Sequence, residues 1–194
     1  MKNKVIEAFE AGDTTFKYFT PATRYIVENG VKIPLISYLI TLINEEGNPK
    51  IIACQKSIIS SLINLRDKSK PSHFKININL HAQDRLGLNN FKAIDTALMY
   101  GQESIAIEML KRDDISLIKP VVQILGHGES YKTPFAIAVD YCPNIAKYII
   151  DNKLIDTTKP VYSTQFESLN AREYVCKYSK PEQIDDILDN DPQF

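Results

Sequence analysis

KAIDTALMYGQESIAIEMLKRD, from Lys92 to Asp113, decides how this chain is read. Ala97 and the run Ile105, Ala106, Met109 and Leu110 fall at helical spacing on either side of Gly101. A glycine takes the left-handed conformation that ends a helix without a Cβ penalty, so the first helix is predicted to stop at Gly101. The second helix then presents its apolar residues as an i, i+1, i+4, i+5 stripe. Two short helices joined this tightly pack antiparallel.

The same design returns downstream in TPFAIAVDYCPNIAKYIID. Thr133 is placed to cap, and Pro134 sits in the first helical turn, where its missing N–H is not needed. Phe135, Ile137 and Ala138 begin the apolar face. Pro143 restarts the chain, and Ile145, Ala146, Ile149 and Ile150 repeat the stripe. A third copy runs from Asn170 to Asp189, with Pro181 opening its second helix and Ile184, Ile187 and Leu188 on its apolar side. Near the N-terminus, IEAFEAGDTTFKYF carries Ala8, Gly12, Phe16 and Phe19 at similar steps, with Asp13 where a second helix would begin. The stretch from Ile33 to Lys68 keeps the hairpin logic, with Pro34-Leu35, Gly47, Ile58-Ile59 and Leu62-Ile63, but both of its helices are expected to be longer.

This recurrence resembles the ankyrin repeat, whose pattern reads roughly TPLHxAxxxGHxxIVxxLL over about 33 residues. The closest correspondences are Thr133-Pro134-Phe135 with Ala138, and Ala97 with Gly101 and the pairs Ile105-Ala106 and Met109-Leu110. The departures are equally concrete. Gly12, Gly47, Gly101 and the equivalent Cys142 are separated by 35, 54 and 41 residues. The histidine of TPLH is replaced by Ala136 and Asp95. The resemblance implies an all-α fold of stacked antiparallel helical hairpins, an ankyrin-like α-solenoid with irregular long loops. It implies one domain over 1–194, with divergent N-terminal hairpins over 1–68 and ankyrin-like repeats and a C-terminal cap over 69–194. Residues 78–91 read as an inter-repeat finger, with Asp84 and Gly87 spaced as in a turn. Residues 115–132 read as a long loop turning at Gly126-His127-Gly128.

Composition narrows the function classes. Hydrophobic residues make up 44% and charged residues 24%, close to globular averages, which argues against wholesale disorder. A net charge of −1 provides no electrostatic footprint for nucleic acid or anionic lipid. The most apolar window, Ile33 to Ile43, is too short to span a bilayer. MKNKVIEAFEAGD lacks the apolar core of a secretory signal, so the expectation is a protein made in a cytoplasm and not inserted in a membrane.

Chemical constellations are sparse. The widely spaced Cys54, Cys142 and Cys176 read as small buried hydrophobes in a reducing compartment. His127 and Glu129 fall short of a zinc ligand set and read as a surface turn. His73 lies in a polar linker, and His81 in an alternating stretch. The glycine patterns that cradle phosphates or expose a nucleophilic serine do not occur. Carboxylate pairs such as Asp113-Asp114 read as solvated charge. No catalytic residue, metal or cofactor is expected. The alternative is a small cysteine-dependent enzyme on a helical scaffold, with Cys54 after Gly47-Asn48-Pro49 as its nucleophile, since an early helical position lowers a thiol's pKa.

The resemblance implies binding rather than catalysis, with a protein partner docking on fingers and inner helices. By that analogy the partner-binding residues are Gln83, Asp84, Arg85 and Leu86 of the first finger, and His127, Glu129 and Tyr131 of the long loop. Decayed repeats in a chain rich in Ile, Lys, Asn and Tyr also resemble effectors that intracellular bacteria deliver into host cells. The acidic C-terminal stretch with Glu182, Asp185, Asp186, Asp189 and Asp191 is compatible with a translocation signal and with a solubilising end cap.

Overall fold

The structure is a computed structural model that describes residues 4–15, 25–28, 30–64, 66–67, 74–75, 77–80, 82, 91–118, 121–125 and 128–189. Its first helix, α1 (Lys4–Glu10), is followed by a hairpin of β1 (Tyr25–Glu28) and β2 (Val31–Pro34). Helices α2 (Leu35–Thr41) and α3 (Pro49–Asn64) come next, then the short strands β3 (Arg66–Asp67) and β4 (Phe74–Lys75). Helices α4 (Ala93–Met99) and α5 (Glu103–Leu110) precede β5 (Val121–Leu125) and β6 (Gly128–Lys132). Helices α6 (Pro134–Tyr141) and α7 (Pro143–Asp151) precede β7 (Pro160–Ser163) and β8 (Ser168–Asn170). The described chain closes with α8 (Ala171–Tyr178) and α9 (Pro181–Leu188).

The helical punctuation falls where the residues demand it. Gly101 takes φ +65°, and the following amide of Gln102 bonds back to the Ala97 carbonyl at 2.8 Å. Thr133 accepts from the Ala136 amide at 3.5 Å, and Pro134 occupies the first turn of α6. Asn170 and Glu173 cap α8 reciprocally, each side chain bonding the other's backbone amide at 3.0 and 2.8 Å. Cys142 holds φ −141° and needs no glycine, because α7 begins at the very next residue. Its thiol donates to the Leu98 carbonyl at 3.2 Å, tying this turn to the preceding hairpin.

The hairpins stack in chain order. Helices α2, α4, α6 and α8 pack successively as one row, and α3, α5, α7 and α9 as a second. Small residues permit the close approach: Ala97 and Ala138 in the first row and Ala106 and Ala146 in the second are fully buried. Larger residues such as Ile59, Met109, Ile149 and Leu188 fill the space between the rows, and all four are completely enclosed. Each such aliphatic side chain contributes about 1.5–3 kcal/mol relative to exposure.

The expectation of an all-α, ankyrin-like α-solenoid is overturned. Among the described residues the fold is mixed α/β, with a four-stranded antiparallel sheet in the order β5-β6-β7-β8 and two two-stranded hairpins, β1-β2 and β3-β4. The stretch expected to be an irregular loop from 115 to 132 forms the β5-β6 hairpin, in register from Val121 opposite Lys132 to Leu125 opposite Gly128. The physical reason lies in composition: Val121, Val122 and Ile124 are β-branched and favour an extended, pleated backbone. The divergent N-terminal region departs from expectation as well. Helix α3 is long at 16 residues, but α2 is only 7 residues. At Asp13 no helix begins; its carboxylate instead accepts from the Thr15 amide at 2.9 Å. The rest of that predicted helix lies outside the described residues.

A partly buried polar chain anchors the segment between α5 and β5. Arg112 donates to the Ile63 carbonyl at 2.6 Å and bidentately to Asp114 at 2.7 and 2.5 Å. Asn79 bridges the Asp114 carbonyl and the Ser116 amide. The Lys92 ammonium, on a fully buried residue, donates to the Ser116 carbonyl at 2.8 Å. The Lys92 amide donates to Asp95 at 2.8 Å, and burial pushes the Asp95 carboxyl up to about 6 against the pull of Lys92. Backbone groups that no ladder pairs are thereby satisfied.

Candidate interaction surface

The surface is built from one recurring position. Helices α4, α6 and α8 begin at N-caps Lys92, Thr133 and Asn170. Eight residues after each cap stands a tyrosine: Tyr100, Tyr141 and Tyr178. Because the three helices stack side by side, the same position recurs along one edge of the row. These tyrosines are 52%, 54% and 45% exposed, unlike the enclosed residues one turn earlier such as Ala97 and Ala138. Helices in contact lie about 8–10 Å apart, which sets the step between successive rings. The row ends at α2, whose corresponding residue is the half-buried Leu42.

At the C-terminal end the row merges with the sheet. Tyr162 on β7, Tyr174 and Tyr178 form a cluster with ring centroids 5.4, 4.6 and 5.8 Å apart. Lys132, the last residue of β6, places its ammonium 5.8 Å from the centres of both Tyr162 and Tyr174. The same ammonium donates to Asp140 at 2.7 Å, and the Tyr174 hydroxyl donates to the other oxygen of that carboxylate at 2.9 Å. Burial and the Asp140 charge push the Tyr174 phenol far up, so it stays a donor. Lys177 pairs with Glu167, whose other oxygen accepts from the Tyr178 hydroxyl at 3.3 Å. The hydrogen bond from Lys177 holds the Glu167 carboxyl below its ordinary range.

Of the residues expected to bind a partner, the structure brings Glu129 and Tyr131 together. Both lie on β6, and the Tyr131 hydroxyl donates to Glu129 at 2.5 Å, which raises the phenol's pKa. Glu129 is exposed and Tyr131 half-buried. Gln83, Asp84, Arg85, Leu86 and His127 lie outside the described residues, as do His73 and His81. The tyrosine row went unread in the sequence, although the eight-residue offset from three cap positions is visible there.

The cysteines occupy separate places. Cys54 is half-buried on α3, Cys142 buried between α6 and α7, and Cys176 exposed on α8, contrary to the uniform burial expected. Burial first, and the Glu103 charge second, push the Cys142 thiol up to about 11, which keeps it protonated. Among the described residues, no group of three or more His, Cys, Asp or Glu side chains could hold a metal ion. Among them, too, no helix is long and apolar enough to cross a membrane.

Compared with family models, curated proteins and solved structures, the chain matches none.

Proposed function

We propose that this chain binds a partner protein across the row of Tyr100, Tyr141 and Tyr178, flanked by the β6 surface that carries Glu129 and Tyr131. The observation that carries the reading is the repetition of an exposed tyrosine at one position of three stacked helices. Tyrosine is enriched at protein interfaces because a large, stiff, amphipathic ring gives contact area at little entropic cost. A row spanning three hairpins suits a partner that lies across the stack rather than one held in a single crevice. The Lys132–Asp140–Tyr174 cluster behind Tyr178 supports this by holding that end of the row in a fixed arrangement.

The test compares capture from lysate by the unaltered chain, by Tyr100→Ala/Tyr141→Ala and by Arg85→Ala/Leu86→Ala. The proposal expects a specific protein to be retained by the unaltered chain and lost by the tyrosine variant while its melting temperature holds. Undiminished capture by a folded tyrosine variant contradicts it. Loss with Arg85→Ala/Leu86→Ala would extend the surface to the first finger.

A further inference from the structure

The hairpin that joins β7 to β8 turns through Thr164, Gln165, Phe166 and Glu167. The Thr164 amide donates to the Glu167 carbonyl at 2.8 Å, which closes the turn. The Thr164 hydroxyl then accepts from the Phe166 and Glu167 amides at 3.1 and 3.2 Å. A threonine placed this way replaces backbone partners that a short turn cannot supply. From outside, the Glu167 carboxylate is gripped by α8: Lys177 donates to one oxygen and the Tyr178 hydroxyl to the other. The backbone of Phe166 is thus held from both sides.

Phe166 itself is 84% exposed. Its side chain is a large apolar body without a polar tip to make use of water. A ring held outward on a stiff turn has little freedom left to lose, so burying it in a partner gains affinity at low ordering cost. Beside it stands a polar rim: the Glu167 and Lys177 side chains are 29% and 47% exposed and cancel each other's charge. An apolar centre with a polar rim is the anatomy of a protein contact. Docking on an anionic membrane draws instead on an excess of basic residues, which this neutral pair does not supply. Through Glu167 the turn also touches Tyr178, the last ring of the tyrosine row, so the two features form one continuous surface.

We infer that Phe166 is the anchor of this surface, inserting into an apolar pocket of the partner protein whose rim offers acceptors to Lys177 and donors to Glu167. The inference rests on the reading that a protein docks across the tyrosine row, and it adds the residue that dominates the affinity.

A benzophenone amino acid placed at position 166 or 141 first identifies the partner in the producing cell. Both positions are expected to yield the same protein, which is then purified and titrated with folded variants. Phe166→Ala is expected to weaken binding by about 30-fold or more, and Phe166→Leu by less, with the melting temperature unchanged. Binding by Phe166→Ala that matches the unaltered chain, or a protein crosslinked at 141 but not at 166, overturns the anchor and leaves the row standing. A protein crosslinked at 166 but not at 141 keeps the anchor and removes the row; none at either position overturns both. Vesicles of phosphatidylcholine and phosphatidylserine that retain the unaltered chain but not Phe166→Ala would assign the ring to a membrane. Dimers lost in that variant would assign it to a second copy, and either result overturns the inference. Should Phe166→Ala not fold, 4-cyanophenylalanine at position 166 decides: its nitrile band must report dehydration when the purified partner is added, and an unchanged band overturns the anchor.

Discussion

The hydroxyl of Tyr174 and the ammonium of Lys132 converge on opposite oxygens of one carboxylate, Asp140, at 2.9 and 2.7 Å. This one side chain joins α6, β6 and α8, and so couples the sheet to the helical row. Tyr174 is fully buried, whereas the Lys132 and Asp140 side chains are 21% exposed. Removing the acceptor therefore costs more than removing the donor. Asp140→Ala leaves a buried hydroxyl unpaired and should cost about 2–3 kcal/mol. Tyr174→Phe removes donor and hydroxyl together and should cost about 1 kcal/mol. Denaturant unfolding of both variants and their double mutant measures the coupling; equal costs for the two single variants would contradict this account.

Two glycines share a backbone conformation but not an environment. Gly12 and Gly101 take φ +67° and +65°. A Cβ at Gly101 meets nothing within 4 Å, while one at Gly12 lies 3.1 Å from the Cys54 Cβ. Gly101→Ala should cost about 1–2 kcal/mol, the penalty of the left-handed conformation alone. Gly12→Ala adds a tight contact with Cys54 on α3, which must give by a few tenths of an ångström, and should cost more. Each kcal/mol lowers the melting temperature by about 2–4 °C in a chain of this size. Thermal melts that place Gly101→Ala below Gly12→Ala would contradict the packing described at α1.

Asp95 gives stability a specific pH dependence. Its folded carboxyl is raised from the ordinary 3.8 to about 6, first by burial, with Lys92 opposing. Ionisation is thus harder in the folded chain than in the unfolded one. This contribution is fully present below the unfolded pKa and is lost as pH rises through the folded value, the window from about 4 to about 6. Over that window the loss amounts to a few kcal/mol. Asp95→Asn keeps an acceptor for the Lys92 amide and does not titrate. The difference in unfolding free energy between the unaltered chain and Asp95→Asn should change steadily between pH 4 and 6; parallel curves would contradict the buried carboxyl.

The helical half of this fold was legible because its signals are local. Gly101, Thr133-Pro134, Pro143 and Pro181 mark helix ends by their own backbone chemistry, and the structure places ends there. The strands escaped for the opposite reason. Strands β7 and β8 are four and three residues long, too short for alternation to register, and are joined by long-range pairing. In β5 the β-branched run was legible but was subordinated to the expected repeat length. The Asn29-Gly30 pair between two apolar runs is a strong hairpin signal that passed unread, and Gly30 does take φ +80° between β1 and β2. At the candidate surface, Glu129 and Tyr131 were expected from loop length and by analogy, whereas the tyrosine row required the hairpins to be aligned on their caps.

The central claim is that Tyr100 and Tyr141 face a protein partner, and site-specific photocrosslinking in the producing cell tests it most directly. A benzophenone amino acid is placed in turn at positions 100 and 141, and at the exposed Ser57 of α3 and Asp185 of α9 on the second helical row. The account predicts one discrete crosslinked species shared by positions 100 and 141 and absent at 57 and 185. A species that appears equally at all four positions, or only at 57 and 185, would contradict it.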